Sequence, residues 1–154
     1  MRSQPPHDPN QPPDTTSKAP PRQDAAGHHP REDDMIATRQ SLPVTRDSIT
    51  HKFAIERHEG YLTIGLYPDG KPGEIFIKMS KEGSTISGMA QAFCRAFSLA
   101  LQHGLSINDA VARFKGMRFE PMGMTSNPDI PNAQSIVDYV ARYLELHYGT
   151  TKRR

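Results

Sequence analysis

Three short segments between residues 49 and 79 alternate apolar and polar side chains with a period of two, and this pattern constrains the fold more than any other feature. On one face of the first segment fall Ile49, His51, Phe53 and Ile55. Successive side chains of a β-strand point to opposite sides, so this period indicates half-buried strands. The links are too short for the crossover that parallel strands need, so the sequence predicts an antiparallel meander.

The second and third predicted strands are residues 61–67 and 74–79. In the second strand, Leu62, Ile64 and Leu66 share one face, and in the third strand Ile75 and Ile77 lie opposite Phe76. Residues 58–60 are predicted to be a tight connection. Residues 68–73 are predicted to be a turn, because their glycines allow positive φ and their prolines end the hydrogen-bond ladder. The alternation leaves the other sheet face either in water or covered by a partner.

Helical spacing replaces alternation after the third strand. Apolar residues three and four apart follow in Ile86, Met89, Ala90, Phe93, Phe97, Ala100 and Leu101. Ser84 and Thr85 offer N-caps to this first helix, and Gly104 a C-terminal cap. A short second helix is predicted after Ser106, which forms an approximate capping box with Asp109.

A third helix is predicted from Ala133 to about His147. Its buried stripe is Ile136, Val137, Val140, Ala141 and Leu144. The fold class is therefore α+β, with about three helices packed against the three-stranded antiparallel meander. The irregular connection from residue 116 to residue 132 is either a functional loop or a proline-stiffened strap over the helices.

The first 34 residues differ sharply in composition from the rest. Their apolar residues are Met1, Ala19, Ala25 and Ala26, and they hold eight of the 14 prolines. Such a segment cannot bury enough apolar surface to offset a backbone entropy of about 1–2 kcal/mol per residue. We predict a disordered Pro-rich tail over residues 1–38, the α+β domain over residues 39–148 and a basic end over residues 149–154. The tail resembles neither a signal peptide nor a membrane span.

Composition narrows the function classes. The net charge of +2 gives no strong signal for nucleic acid or membranes. A single cysteine, Cys94, excludes an internal disulfide and fits a cytoplasmic setting. Its place in the first helix predicts a buried, inert thiol. His51, His58 and His103 lack the spacing of a metal motif, so no metal site is predicted.

One candidate small-molecule site emerges at the start of the first helix. Unpaired N–H groups at a helix N-terminus favour an anion, and lysines and hydroxyls nearby would reinforce it. The candidate anion- or nucleotide-binding residues are Lys78, Lys81, Gly83, Ser84 and Thr85. The pattern lacks the full phosphate-loop motif, and the alternative is an ordinary capped helix start.

Four consecutive words carry a family resemblance: THKF, HEGYLTIGLY, DGKPGEIFIKM and KEGSTISG. They resemble the C-terminal TSCPD domain of class II, adenosylcobalamin-dependent ribonucleotide reductases. The match continues through FKGMRFEP, NPDIP and SIVDYV, and covers about Arg39 to Leu144. The resemblance implies a role in replacing the ribose 2′-hydroxyl by hydrogen, through a thiyl radical and a cysteine pair.

That chemistry needs at least three cysteines, and the sequence has one. The family's nucleotide- and cobalamin-holding barrel and its cysteine-rich tail are also missing, so no catalytic residue is carried over. We therefore expect a module that is not catalytic alone and binds no cofactor itself, adenosylcobalamin being implied only for the parent family. It would serve deoxyribonucleotide supply by docking on a reductase catalytic subunit. The alternatives are a stand-alone nucleotide- or phosphate-binding module and a degenerate fragment without specific activity.

Overall fold

The structure, a computed structural model, describes residues 38–81 and 83–150. The predicted disordered tail (residues 1–38) and basic end (residues 149–154) therefore fall almost wholly outside the described residues. In the part that is described, three strands precede three helices, with a short two-stranded ribbon before the last helix. This arrangement confirms the α+β class and the three-helix expectation.

The three-stranded sheet consists of β1 (Ser48–Ile55), β2 (His58–Leu66) and β3 (Pro72–Met79). The strands are antiparallel and lie in the order β1-β2-β3, which confirms the predicted meander. The alternation sorts the side chains as expected. The inner face is formed by Phe53, Ile55, Leu62, Ile64, Ile75 and Ile77, each at most 3% exposed.

The turn between β1 and β2 is shorter than predicted. Residues 58–60 are not a connection but the paired start of β2, and the turn is only Glu56 and Arg57. A two-residue hairpin turn requires positive φ, and Glu56 adopts a φ of +51°. Its carboxylate accepts the Met124 N–H at 2.8 Å, and its own N–H donates to the Met124 carbonyl at 2.8 Å. These long-range bonds hold a conformation that local sequence does not favour.

The helices are α1 (Thr85–Gln102), α2 (Ile107–Phe114) and α3 (Ile136–Tyr148). Each has a serine N-cap whose hydroxyl accepts the N–H three residues on, and these are Ser84, Ser106 and Ser135. The first two caps confirm the prediction. The third helix begins later than predicted because Ala133 pairs in the ribbon of β4 (Gly123–Met124) and β5 (Asn132–Ala133).

Helix α3 covers the inner sheet face through aromatic rings. Tyr139, which is fully buried, stacks on Phe53 with ring centroids 5.0 Å apart. Its hydroxyl lies 2.8 Å from Nε2 of His51 and accepts from the Asn127 amide at 3.1 Å. Tyr143 stacks on the His51 ring at 4.4 Å. The predicted apolar stripe of α3 omitted both tyrosines, because the inward surface of the helix is wider than the stripe.

Helix α1 seals the free edge of β3 with polar side chains. Ser98 accepts the Ile75 N–H at 2.9 Å, and the Gln102 side-chain amide donates to the Gly73 carbonyl at 3.0 Å. Both side chains are buried, so these bonds satisfy backbone groups that water cannot reach. A sheet edge closed in this way is not available for pairing with another chain.

The connection before α3 runs along the opposite edge of the sheet. Ser126 accepts the Ala54 N–H through its hydroxyl at 2.9 Å and donates its own N–H to the Ala54 carbonyl at 3.1 Å. Thr125 bridges to Ile55 in antiparallel fashion. This part of the connection is therefore a strap, as one alternative held, but it lies along β1 rather than over the helices.

Candidate functional site

A concave apolar surface of about 350 Å³ lies where the start of α1, the end of α2 and the start of α3 meet. We call it the apolar groove. Its walls include Ile86, Met89, Phe93, Phe114, Met117 and Phe119. Met89 is 67% exposed and Phe119 is 41% exposed. Apolar side chains clustered in contact with water are typical of interaction surfaces.

Met89, which the sequence analysis placed among the apolar positions of the first helix, is not part of the buried side of α1. The side of α1 that meets β3 is turned toward Ser87, Cys94 and Ser98, all of which are buried. Because these small side chains let the helix lie close to the strand edge, Met89 is displaced into the groove. Helical spacing alone could not reveal this rotation, since serine normally reads as a solvent-facing residue.

At the floor of the apolar groove, Phe93 and Phe114 pack against the buried ring of Phe97. Phe93, Phe97 and Phe114 have ring centroids 5.4–5.6 Å apart in each pairing. Such distances and tilted ring planes are those that aromatic pairs prefer. Phe97 is buried, whereas Phe93 and Phe114 are partly exposed at the surface of the groove. The rings at the floor are therefore packed as closely as side chains in a hydrophobic core, and this packing gives the groove a fixed shape.

A buried carboxylate anchors the wall formed by residues 116–119. Asp138 is fully buried and accepts the Gly116 N–H at 2.6 Å, the Gln134 N–H at 2.8 Å and the Arg142 Nε–H at 3.0 Å. Burial alone would raise the pKa of this carboxyl, but the two backbone N–H groups and the Arg142 guanidinium hold the pKa below its usual range. Sequence reasoning missed Asp138, although Ser135 three residues earlier completes a capping-box pattern.

The predicted anion-site residues surround the start of α1 but line three different concavities. Lys78 and Gly83 line one of about 520 Å³, Lys81 and Ser84 line another, and Thr85 lines the apolar groove. The Ser84 hydroxyl is engaged locally, because it accepts the Ser87 N–H at 3.2 Å and lies 3.1 Å from the Lys81 carbonyl. The anion site stays a prediction.

Cys94 is 2% exposed, and burial raises the pKa of its thiol to about 12. Its sulfur receives a hydrogen bond from the Ile77 N–H. The thiol is thus part of the seal between α1 and β3, and the prediction of a buried cysteine is confirmed. Among the described residues, no three His, Cys, Asp or Glu side chains lie close enough to hold a metal ion.

The TSCPD domain family model matches residues 34–148, which include every strand and helix described above. The chain belongs to the TSCPD domain family. This confirms the resemblance that the strand and turn motifs carried.

Curated relatives of this TSCPD domain are vitamin B12-dependent ribonucleotide reductases. The protein of Rhodopirellula baltica is 56% identical over 110 residues, which are 71% of this chain and 11% of the relative. The protein of Streptomyces avermitilis is 50% identical, again over 71% of this chain and 11% of the relative. The protein of Agrobacterium fabrum is 43% identical over 71% of this chain and 9% of the relative. The chain thus spans about a tenth of the length of these proteins.

No solved structure matches this TSCPD domain. In the described part of the chain, none of the helices has both the length and the hydropathy required to cross a bilayer.

Proposed function

We propose that this TSCPD domain is an accessory module of vitamin B12-dependent ribonucleotide reduction, acting in the cytoplasm by docking on the catalytic part of a reductase. The main support for this proposal is the 56% identity to a region that forms 11% of the R. baltica reductase. In that relative the region shares one polypeptide with the rest of the enzyme. A contact between this domain and that remainder is therefore the relationship that the family supports best.

The thiol chemistry supports a non-catalytic role for the domain itself. A radical or redox cysteine must meet substrate or a partner thiol, and thiol reactivity follows the thiolate form. Cys94 is 2% exposed and its pKa is raised to about 12, so it is poorly suited to either task. The domain would instead contribute binding or positioning.

The apolar groove does not fit a cobalamin. A corrin ring with its nucleotide tail is much larger than the apolar groove of about 350 Å³, whose lining includes one ionisable side chain, Glu120. We therefore assign vitamin B12 to the parent enzymes and infer no cobalamin step on this domain.

We propose that the apolar groove is the docking surface for the reductase. Its exposed methionines and phenylalanines suit an apolar segment of a partner, since Met and aromatic side chains are enriched at the centres of protein interfaces. The wall fixed by Asp138 gives this surface a defined shape in the free domain. Docking on a preformed surface avoids the entropy cost of ordering a loop.

A truncated reductase tests this function. The R. baltica enzyme without its matching region would be titrated with this chain, with binding measured by calorimetry and product by deoxynucleotide formation. We expect binding and a gain in activity. Met89→Glu should abolish both, whereas Met124→Glu, at an equally exposed methionine outside the groove lining, should abolish neither. No binding to the truncated enzyme would refute the proposal.

A second candidate is nucleotide or phosphate binding at the start of α1. The shared concavity of Lys78 and Gly83, which also includes Phe76, favours it because it offers a cation and a ring together. Calorimetry with ribonucleotides, deoxyribonucleotides and inorganic phosphate is the test. Binding that Lys81→Ala or Lys78→Ala removes would support the site, and no heat with any ligand would exclude it.

A further inference from the structure

The sheet face opposite the helices carries two exposed aromatic rings. Tyr61 is 42% exposed and Phe76 is 50% exposed. Tyr61 lies directly opposite Lys78 in the β2–β3 ladder, and Phe76 is two residues from Lys78 on the same strand. The two rings are therefore diagonal neighbours, with Cα atoms about 7–8 Å apart. We call this surface, formed by Thr50, Lys52, Tyr61, Thr63, Phe76 and Lys78, the outer face.

Lysines flank the rings on both sides. The register places Lys52 of β1, Tyr61 of β2 and Lys78 of β3 in one row across the sheet. With strands about 4.8 Å apart, the two lysine Cα atoms are roughly 10 Å apart with the tyrosine between them. The neighbouring row is Thr50, Thr63 and Phe76, so hydroxyls stand beside the second ring.

Two acidic residues, Glu59 and Glu74, also lie on the strands of the outer face. Glu59 lies 3.4 Å from the Lys52 ammonium, but both side chains are more than half exposed, and such pairs contribute little. Glu74, at the far end of the face, is ion-paired with Arg46. Although the net charge of the whole chain is only +2, the Tyr61 ring lies between two lysines in its row.

The combination of exposed rings and lysines on the outer face suits nucleic acid better than a protein partner. Lysine is depleted at the centres of protein interfaces, and this domain has a contiguous apolar surface elsewhere, in the groove. Aromatic and cationic groups side by side on one sheet face complement bases and phosphates, because every base has a π-face and every linkage a negative charge. A duplex hides its base faces, so only an unpaired strand can use the rings.

We propose that the outer face binds single-stranded nucleic acid, with bases stacked on Tyr61 and Phe76 and phosphates beside Lys52 and Lys78. This inference is independent of docking on a reductase, because it uses the opposite side of the domain and needs no partner protein.

Fluorescence anisotropy of a labelled oligothymidylate titrated with the full chain at low salt is the test. We expect saturable binding to the single strand, with much weaker binding to a duplex of the same length and to thymidine monophosphate. Two phosphate contacts on a single strand predict that log K falls with log salt with a slope of about −1.4, and Lys52→Gln should reduce it by about 0.7.

Variants of exposed aromatics provide a matched comparison. Tyr61→Ala and Phe76→Ala should each weaken binding by roughly 5- to 150-fold, the range that follows from a stacking contribution of about 1–3 kcal/mol per base. Tyr61→Phe and Phe76→Tyr should keep the affinity of the parent chain, because a base stacks on the ring and not on the hydroxyl. Phe119→Ala, at a ring of nearly equal exposure in the apolar groove, should have no effect.

Three results would overturn the proposal. The first is no binding to any single strand at low salt. The second is equal weakening by Phe119→Ala and Phe76→Ala, which would mean that the outer face has no special part. The third is binding of the monophosphate as tight as that of the strand, which would indicate a nucleotide site. Circular dichroism of each variant ensures that a loss of binding is not a loss of folding.

Discussion

The two faces of the same three strands differ in what their side chains do. On the inner face, Phe53, Leu62 and Ile75 are fully buried under α3 and α1. On the outer face, Tyr61 and Phe76 remain about half exposed although they are aromatic, like the buried Phe53. The backbone is shared, so the difference lies only in what covers each face.

This comparison separates residues that the fold requires from residues that it tolerates. Burial of an apolar side chain contributes roughly 25 cal/mol per Å² removed from water, so the inner face stabilises the domain. An exposed ring gains little of that free energy. Burial therefore explains little of the aromatic side chains on the outer face, which strand propensity and cross-strand pairing also favour.

The largest effect is expected at the centre of the inner face. Phe53→Ala removes a fully buried ring that stacks on Tyr139, and deletions of this kind cost about 3–5 kcal/mol. Because total stability is typically about 5–15 kcal/mol, the variant should unfold at much lower urea. A midpoint unchanged from that of the parent chain would contradict the assignment of the core.

The next effect concerns the helix that covers the inner face. Asp138→Asn should cost about 2–3 kcal/mol, because an amide cannot accept all three hydrogen bonds and its NH₂ group would face a backbone donor. Urea denaturation measures this loss. Asp129→Asn, at an exposed carboxyl, is the control and should change little. Equal, small effects of the two substitutions would mean that the carboxylate does not anchor α3.

Sequence patterns predicted the features of the fold that depend on residues close together in the chain, namely the strands and the helix caps. Alternation located the strands, and Ser84 and Ser106 were correct caps because an N-cap acts within three residues. The missed features are long-range. Glu56 holds a positive φ through a contact 68 residues away, and Ser98 bonds to a strand 23 residues earlier. No periodicity encodes such pairs, and the exposure of Met89 was not predicted for the same reason.

The third-largest loss of stability is expected where α1 hydrogen-bonds to the edge of β3. Ser98→Ala leaves the buried Ile75 N–H without its acceptor, and an unsatisfied buried donor costs about 1–3 kcal/mol. The Ile75 amide proton should also exchange faster, which hydrogen exchange measured by NMR would detect. Unchanged stability together with unchanged exchange would show that another group satisfies this edge.

A smaller effect is expected from pH at the rim of the inner face. Burial, and then the nearby His147, lower the pKa of His51 from 6.5. Tyr139 and Tyr143 also face this ring. Because the unfolded chain takes up the proton first, the contribution of His51 is fully present above about pH 6.5 and is lost as the pH falls through the lowered folded pKa.

Thermal unfolding between about pH 8 and pH 5 measures this loss. The midpoint should fall toward the acid end, and His51→Gln should fall less steeply because the variant has no proton to take up at this position. Parallel curves for the two proteins would show that His51 does not titrate differently in the folded state.

The smallest stability effect is expected at the outer face, where Phe76→Ala makes the same chemical change as Phe53→Ala. With the ring half exposed, the loss should lie within about 0.5 kcal/mol, the usual range for surface substitutions. Urea midpoints of the two variants compare the faces directly. A cost near that of Phe53→Ala would mean that the outer face is covered in solution and is part of the core. A near-zero cost together with a clear loss of oligothymidylate binding would separate the two faces by role, since the ring would then matter for a ligand and not for the fold.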